Sequence, residues 1–299
     1  YTPEPVVNFI VRAVDDLLKT EFNLPLGLAD TSKTTITLQT QTADRRTRSG
    51  YREIEQEVHK VQLLDPATGT ATFLAEIIKH IYRTQFAAMR GAWPGYVERD
   101  LIPRLHGFEL LMASYAMAHL KLELLLRETG VALPPGQRLQ IYLTNSLEEH
   151  HPDTGTLFAS WLSQEASEAN RIKRDTPVMV VLGNPPYAVS SSNRGEWIQG
   201  LIEDYKKDLN EKKLNLDDDY IKFIRYGQYL IDRNGEGVLA YISNNSFIDG
   251  VTHRQMRKHL LESFDKIYIL DLHGSSMKNE TCLLYTSDAA DEEDSVDLG

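Results

Sequence analysis

The sequence predicts an α/β fold with a doubly wound, mostly parallel sheet, and three observations carry that reading. Short apolar runs of strand length alternate with segments of helical period; a small-residue turn follows the first of these runs at Asp65; and a rigid Asn-Pro-Pro-Tyr turn follows another at Asn184. Strands separated by helical segments need right-handed crossovers, which lay the strands parallel and put helices on both faces.

Taken in order, the chain opens with YTPEPVVNFIVRAVDDLLK. Thr2 is placed to cap a helix, Pro3 suits its first turn, and Val6, Val7, Ile10, Val14, Leu17 and Leu18 form one apolar face. From about residue 30 to 51 the chain is polar, rich in Thr and Gln, with Arg45, Arg46 and Arg48 and no sustained apolar period, which predicts a loop or short hairpin. VQLLDPATGTATFLAEIIKHIY then reads as a strand ending at Asp65, a tight turn, and a helix carrying Phe73, Leu74, Ile77, Ile78 and Ile81. A second strand at 105–108 leads into a helix starting near Leu111, a third spans 140–143, and the unbroken apolar run 178–182 has the character of a buried parallel strand. Residues 220–231 form a helix, 237–242 a fifth strand, 253–263 a helix and 267–272 a sixth strand. The intervals 93–104 and 148–175 exceed ordinary connections and read as insertions.

With 299 residues, 41% hydrophobic and 25% charged, the chain can bury an ordinary core, and one domain with insertions is a simpler account than two small ones. No run approaches the roughly 18 apolar residues of a membrane span, and no signal-peptide pattern opens the sequence, so the expected compartment is the cytoplasm. The single cysteine, Cys282, excludes an internal disulfide and a cysteine-rich zinc site. A net charge of −11 speaks against binding a phosphate backbone, but the acid is concentrated at the end: Asp288, Asp291, Glu292, Glu293, Asp294 and Asp297 meet no Lys or Arg. From about Cys282 the chain reads CLLYTSDAADEEDSVDLG, with no period connected to what precedes it. This stretch resembles translated sequencing-adapter read-through more than a natural acidic tail. The expected division is therefore one folded domain over 1–280 and an acidic, non-native tail over 281–299.

Two turns carry the chemistry. In an open α/β sheet ligands bind beyond the C-terminal strand ends, and a small-residue turn lets backbone approach them. Asp65-Pro66-Ala67-Thr68-Gly69-Thr70-Ala71 is such a turn, yet it is neither GxGxxG nor a P-loop. An acidic start with no basic residue suits a cationic or amine-bearing ligand; the plainer alternative is a tight turn with no ligand. Asn184-Pro185-Pro186-Tyr187 is the more specific signal, expected by chance in about one chain in five hundred of this length. Two prolines cannot extend a central strand, so the strand must end there in a rigid turn. The Asn184 carboxamide oxygen and the Pro185 carbonyl can then accept from one –NH₂ group while Tyr187 offers a flat face. A structural turn with an Asn cap is the alternative.

These residues resemble the amino-methyltransferases, and among them the adenine-N6 DNA methyltransferases in which a helix precedes the cofactor turn. YTPEPVVNFIVRAVDDLL, DPATGTATFL, VVLGNPPY, IKFIRYGQYLI and THRQMRKHL are similar to the methyltransferase part of the large fused Type ISP restriction-modification enzymes, a resemblance that runs to about Glu280. It implies a Rossmann-like methyltransferase sheet and S-adenosyl-L-methionine as cofactor. It also implies that Tyr1, Thr2 and Pro3 hold the methionine end, that Asp65, Pro66, Ala67, Gly69 and Thr70 line the cofactor, that Glu109 in HGFEL accepts from the ribose hydroxyls, and that Phe223 lines the pocket. Two positions depart from the family pattern: Ala71 stands where a second glycine is usual, and Thr68 where Cys is frequent. Asn145 in LTNSL is the nearest match to the acidic residue the family places against the cofactor's adenine.

The implied reaction needs no metal and no covalent enzyme intermediate; it rests on positioning and electrostatics. The partner would be double-stranded DNA with a flipped adenine stacked on Tyr187, bound within a larger restriction-modification polypeptide. Competing readings are an amino-methyltransferase acting on a protein glutamine or an RNA guanine, disfavoured by the opening helix and IKFIRYGQYL, and a binding-only module, disfavoured by retention of all four residues from Asn184 to Tyr187. Arg254, Arg257 and Lys258 could touch phosphate or form a solvated helix face. The resemblance further implies a sheet truncated after the sixth strand. A later antiparallel strand, inserted between the fifth and the sixth, and a sequence-reading domain are expected to be missing, so the fragment is expected to bind cofactor weakly and to methylate no specific site.

Overall fold

The computed structural model describes residues 2–43, 46, 51–134, 136–149, 160–188, 191–209, 216–273 and 282. Helix α1 (Glu4–Thr20) forms as its period predicts, burying Val7, Val11, Val14 and Leu18. Its N-cap, however, is Pro3, and the Thr2 side chain caps nothing. Asp15 fastens this helix: its carboxylate accepts from the Leu28 amide at 2.8 Å, from Lys19 at 2.6 Å, and pairs with His80 at 2.9 Å. The polar stretch that follows is a long antiparallel ribbon, β1 (Lys33–Ala43) on β2 (Tyr51–His59), larger than the loop or short hairpin expected. Thr34, Ile36 and Leu38 alternate opposite Val58, Gln56 and Ile54, a period-2 pattern too weakly apolar to stand out because most of the ribbon faces solvent.

The central sheet holds β3 (Gln62–Asp65), β4 (Leu105–Glu109), β5 (Gln140–Leu143), β6 (Val178–Gly183) and β7 (Val238–Tyr241), all parallel, in the order β5-β4-β3-β6-β7. Every residue of β3, β4 and β6 is buried, which explains the unbroken apolar run of β6. Helices α2 (Thr72–Ile81), α4 (Met112–Glu128), α5 (Ser160–Asp175), α7 (Asp219–Asn234) and α9 (Arg254–Ser263) flank the strands, with the short helices α3 (Trp93–Tyr96) and α8 (Ser246–Asp249) and helix α6 (Glu196–Lys206) in the connections. The insertion at 93–104 is a piece of core, where Trp93 and Tyr96 pack with Tyr82 and Phe86 at centroid separations of 4.6 to 5.8 Å.

One predicted strand is not formed. Residues 267–272 make no ladder pairing, and Ile267, Tyr268, Ile269 and Leu270 are exposed. Their alternation suits a strand, but a strand exists only through a partner, and among the described residues none pairs with them. The boundary expected at 280 between the domain and the acidic tail falls outside the described residues. No helix among those described is long and apolar enough to cross a membrane.

Candidate active site

The chain builds β3, β4 and β5 outward in one direction, then returns to lay β6 on the other side of β3. That reversal is a topological switch point, and it sets the ends of β3 and β6 side by side, with Leu64 registered against Val181. Asp65 and Asn184 are neighbours for this reason although far apart in sequence. The approach is so close that a Cβ on Gly183 would lie 2.7 Å from Asp65 Oδ1.

Asp65 is 1% exposed and its Oδ1 accepts from the Ala67 amide at 3.1 Å. Burial, with the charge of Glu109 adding to it, pushes its carboxyl up to about 7. The turn beyond it is held by Thr68, whose amide donates to Phe108 O at 3.0 Å and whose hydroxyl donates to Asp65 O at 3.0 Å. Thr68 packs onto Gly107, where a Cβ would meet the hydroxyl at 2.5 Å, so the Thr at this position is matched by a glycine in the next strand. Gly69 has φ +55° with open space where a Cβ would point. Ala71, at φ +60°, adopts the left-handed conformation that the family's usual glycine would take without strain. Pro66 is buried, Ala67 half-buried and Thr70 exposed.

Glu109 ends β4 beside this turn, with Oε2 accepting from the Gly69 amide and Oε1 from the Leu111 amide, each at 2.7 Å. Each oxygen keeps a second lone pair for a hydroxyl. A buried carboxylate, an open glycine backbone and a second carboxylate, aligned along one sheet edge, fit a ligand that carries both a cationic group and sugar hydroxyls. Asn145 follows β5 on the same edge, but its carboxamide is engaged: Oδ1 accepts from Leu147 N at 3.0 Å, and Nδ2 donates to Glu148 at 3.1 Å and to Asn193 at 2.8 Å. Phe223 is buried below the edge in an apolar cluster with Leu64, Phe108 and Val181, against which Ala67 packs.

After β6, Asn184 is half-buried, Pro185 buried, Pro186 exposed, and Tyr187 47% exposed. Asn184 Nδ2 donates to Thr2 Oγ1 at 3.0 Å, and the Tyr187 hydroxyl donates to Asn184 Oδ1 at 2.9 Å. Thr2 and Pro3 thus arrive at this edge at the start of α1; Tyr1 lies outside the described residues.

Several residues that hold the site were not visible in the sequence. Lys173, half-buried, donates to Thr144 Oγ1, Asn145 O and Glu148 O, and its partial burial lowers its ammonium to about 8. Ser146 donates to Pro66 O at 2.5 Å, joining the β5 turn to the Asp65 turn. Lys222, 0% exposed, donates to Ser191 Oγ at 2.8 Å and Asn193 O at 2.6 Å and pairs with Asp217 at 2.6 Å, while Asp219 accepts from Ser191 and Asn193. The loop beyond Tyr187 is therefore clamped to the start of α7, whose N-cap Asp218 also accepts from Ala188 N at 3.0 Å. The only advance signal was the run Asp217-Asp218-Asp219 before a helix.

Arg257 is spent on the chain itself, donating to Phe247 O and Gly250 O, and Lys258 pairs with Glu262 at 3.8 Å. A small apolar crevice lined by Leu74, Ile78, Leu122 and Ile141 lies between α2, α4 and β5, off the ligand edge. No cluster of His, Cys, Asp and Glu among the described residues could hold a metal ion.

The chain is similar to known proteins of one kind. Residues 111–277 match the model of the Eco57I restriction-modification methylase family. A curated relative, the Type II methyltransferase M.BstVI of Geobacillus stearothermophilus, is 27% identical over 233 residues, covering 76% of this chain and 36% of its own length. Among solved structures, the ATP-dependent Type ISP restriction-modification enzyme LlaBIII bound to DNA is 27% identical with a TM-score of 0.67, over 88% of this chain and 16% of that one. The DrdV–DNA complex is 28% identical with a TM-score of 0.64, over 92% and 23%. The chain thus spans about a third of the curated relative and less than a quarter of these structures.

Proposed function

Because the chain belongs to the Eco57I restriction-modification methylase family, we propose that it carries the catalytic machinery of a DNA methyltransferase, moving a methyl group from S-adenosyl-L-methionine to N6 of an adenine. It would work within a larger restriction-modification polypeptide, on double-stranded DNA with the adenine flipped out. The observation that supports this best is the meeting of the Asn184 turn and the buried Asp65 turn at one switch point.

Bound at the Asp65 turn, S-adenosyl-L-methionine supplies a methyl group already activated on sulfonium. Asp65 would face the cationic end, the Gly69 backbone would leave room for close approach, and Glu109 would accept from the ribose hydroxyls, with Pro3 beside the methionine end. The exocyclic nitrogen of adenine is a poor nucleophile because its lone pair is delocalised into the ring. Asn184 Oδ1 and the Pro185 carbonyl would each accept a hydrogen bond from one of its N–H bonds, which biases the nitrogen toward tetrahedral geometry and frees the lone pair to attack the methyl carbon as its bond to sulfur breaks, the surplus proton of the nitrogen leaving to water. Tyr187, exposed beside them, stacks on the flipped base. The loop clamp of Lys222 and Asp219 keeps this turn rigid, and Asn145 serves the site through Asn193 rather than as a free contact to the cofactor's adenine.

Asn184→Ala in the full-length protein is expected to abolish methyl transfer, with S-adenosyl-L-methionine affinity by calorimetry largely unchanged. Near-normal methylation of adenine by that variant would refute the assigned role. Labelled methyl recovered on a protein glutamine or an RNA guanine, with none on DNA adenine, would move the reading to another amine.

A further inference from the structure

Two hydroxyls brace the Asn184 carboxamide, one from each end of the group. Nδ2 donates to Thr2 Oγ1 at 3.0 Å across 182 positions of sequence, and Oδ1 accepts from the Tyr187 hydroxyl at 2.9 Å. A carboxamide is nearly symmetrical in shape but not in chemistry, since its oxygen accepts and its nitrogen only donates. Rotated end for end, Asn184 would turn N–H groups toward an incoming –NH₂, and donors would face donors. A phenol is the stronger donor of the two hydroxyls, so its bond goes to the oxygen and Thr2 is left to accept from the nitrogen.

Resting on the methyl-transfer reading above, we infer that Thr2 is a positioning residue for the reaction: by holding the Asn184 nitrogen, it keeps the oxygen turned toward the target amine. Tyr187 cannot do this through a turnover. Its hydroxyl occupies the acceptor that the amine must use, so that bond is exchanged when the base arrives and the ring stacks; the amine, which donates, then selects the oxygen, and Thr2 accepts from the nitrogen to hold the carboxamide in that orientation. Helix α1 brings Thr2 to this place, and the hydroxyl left free by the absence of a helix cap is the one that reaches Asn184. The role differs from gripping the cofactor's methionine, and the two predict different kinetics.

Thr2→Val keeps the side-chain shape and removes the acceptor. In the full-length protein kcat is expected to fall about tenfold, the worth of one such bond, while the Kd for S-adenosyl-L-methionine stays constant and Thr2→Ser restores the rate. On an Asn184→Asp background, where both ends of the group are oxygen, Thr2→Val should cost nothing further. A readout independent of turnover is the Asn184 side-chain NH₂ resonance of the isotope-labelled 299-residue chain, whose protection from exchange should be lost in Thr2→Val and kept in Thr2→Ser. Weaker cofactor binding with kcat and the NH₂ signal unchanged would make Thr2 a cofactor contact and overturn the inference; so would no change at all. Normal adenine methylation by Asn184→Ala would instead bring down the methyl-transfer reading itself.

Discussion

Asp65 shows what a single buried carboxyl costs the fold. Burial is the main reason that its carboxyl sits near about 7, well above the ordinary 3.8. A carboxyl raised in this way contributes stability that is fully present below about pH 3.8 and is lost as pH rises through about 7, because the unfolded chain ionises first. Asp65→Asn, which cannot ionise, is therefore expected to make the ligand-free chain more resistant to urea than wild type at about pH 8, with the gap closing toward about pH 4. The same substitution should weaken S-adenosyl-L-methionine binding, and wild-type affinity should rise with pH through about 7, since a cationic ligand favours the carboxylate. Affinity that is flat across this range, or equal in the variant, would remove Asp65 from the site. Asp65, Glu109 and the residues from Asn184 to Tyr187 were legible in the sequence because their chemistry is packed into short strings at strand ends. Lys173, Ser146 and Lys222 were not, because each works through space; in IKFIRYGQYL, Lys222 looks like any polar residue of an amphipathic helix, yet it is fully buried.

At the level of elements, periodicity located all five strands of the sheet and helices α1, α2, α4, α7 and α9 to within a few residues, because each buries a continuous run or a continuous face. It missed α5, which lies in the interval 148–175 read as an insertion, and α6, although both bury apolar residues, and it failed where burial is absent. The ribbon β1–β2 is held by its own pairing, and the alternation at 267–272 lacks a partner to pair with. A ribbon that stands apart should be dispensable to the sheet: replacing residues 35–57 with a short Gly-Ser turn is expected to change unfolding free energy by no more than about 1 kcal/mol, the scale of a loop-length change. Loss of cooperative unfolding in that variant would show instead that the ribbon is part of the core.

For the whole molecule, the order β5-β4-β3-β6-β7 makes β3 the middle of everything, flanked by β4 and β6, and all three are buried throughout. Amide hydrogens there should exchange slowest, by global unfolding, with those of the ribbon far faster; ribbon amides protected as well as those of β3 would contradict this layering. The switch point also sets a timetable during synthesis. As the chain leaves a ribosome, β3 can pair with β4 soon after it appears, but its other edge must wait roughly 70 residues more for β6, some 4 to 14 seconds at about 5–20 residues per second. Throughout that interval the nascent chain presents an apolar strand with one unpaired side, a ready target for a chaperone or for a neighbouring nascent copy. The Asn184 turn arrives with the strand that closes the gap, so the candidate site and the protection of the sheet are completed by the same event.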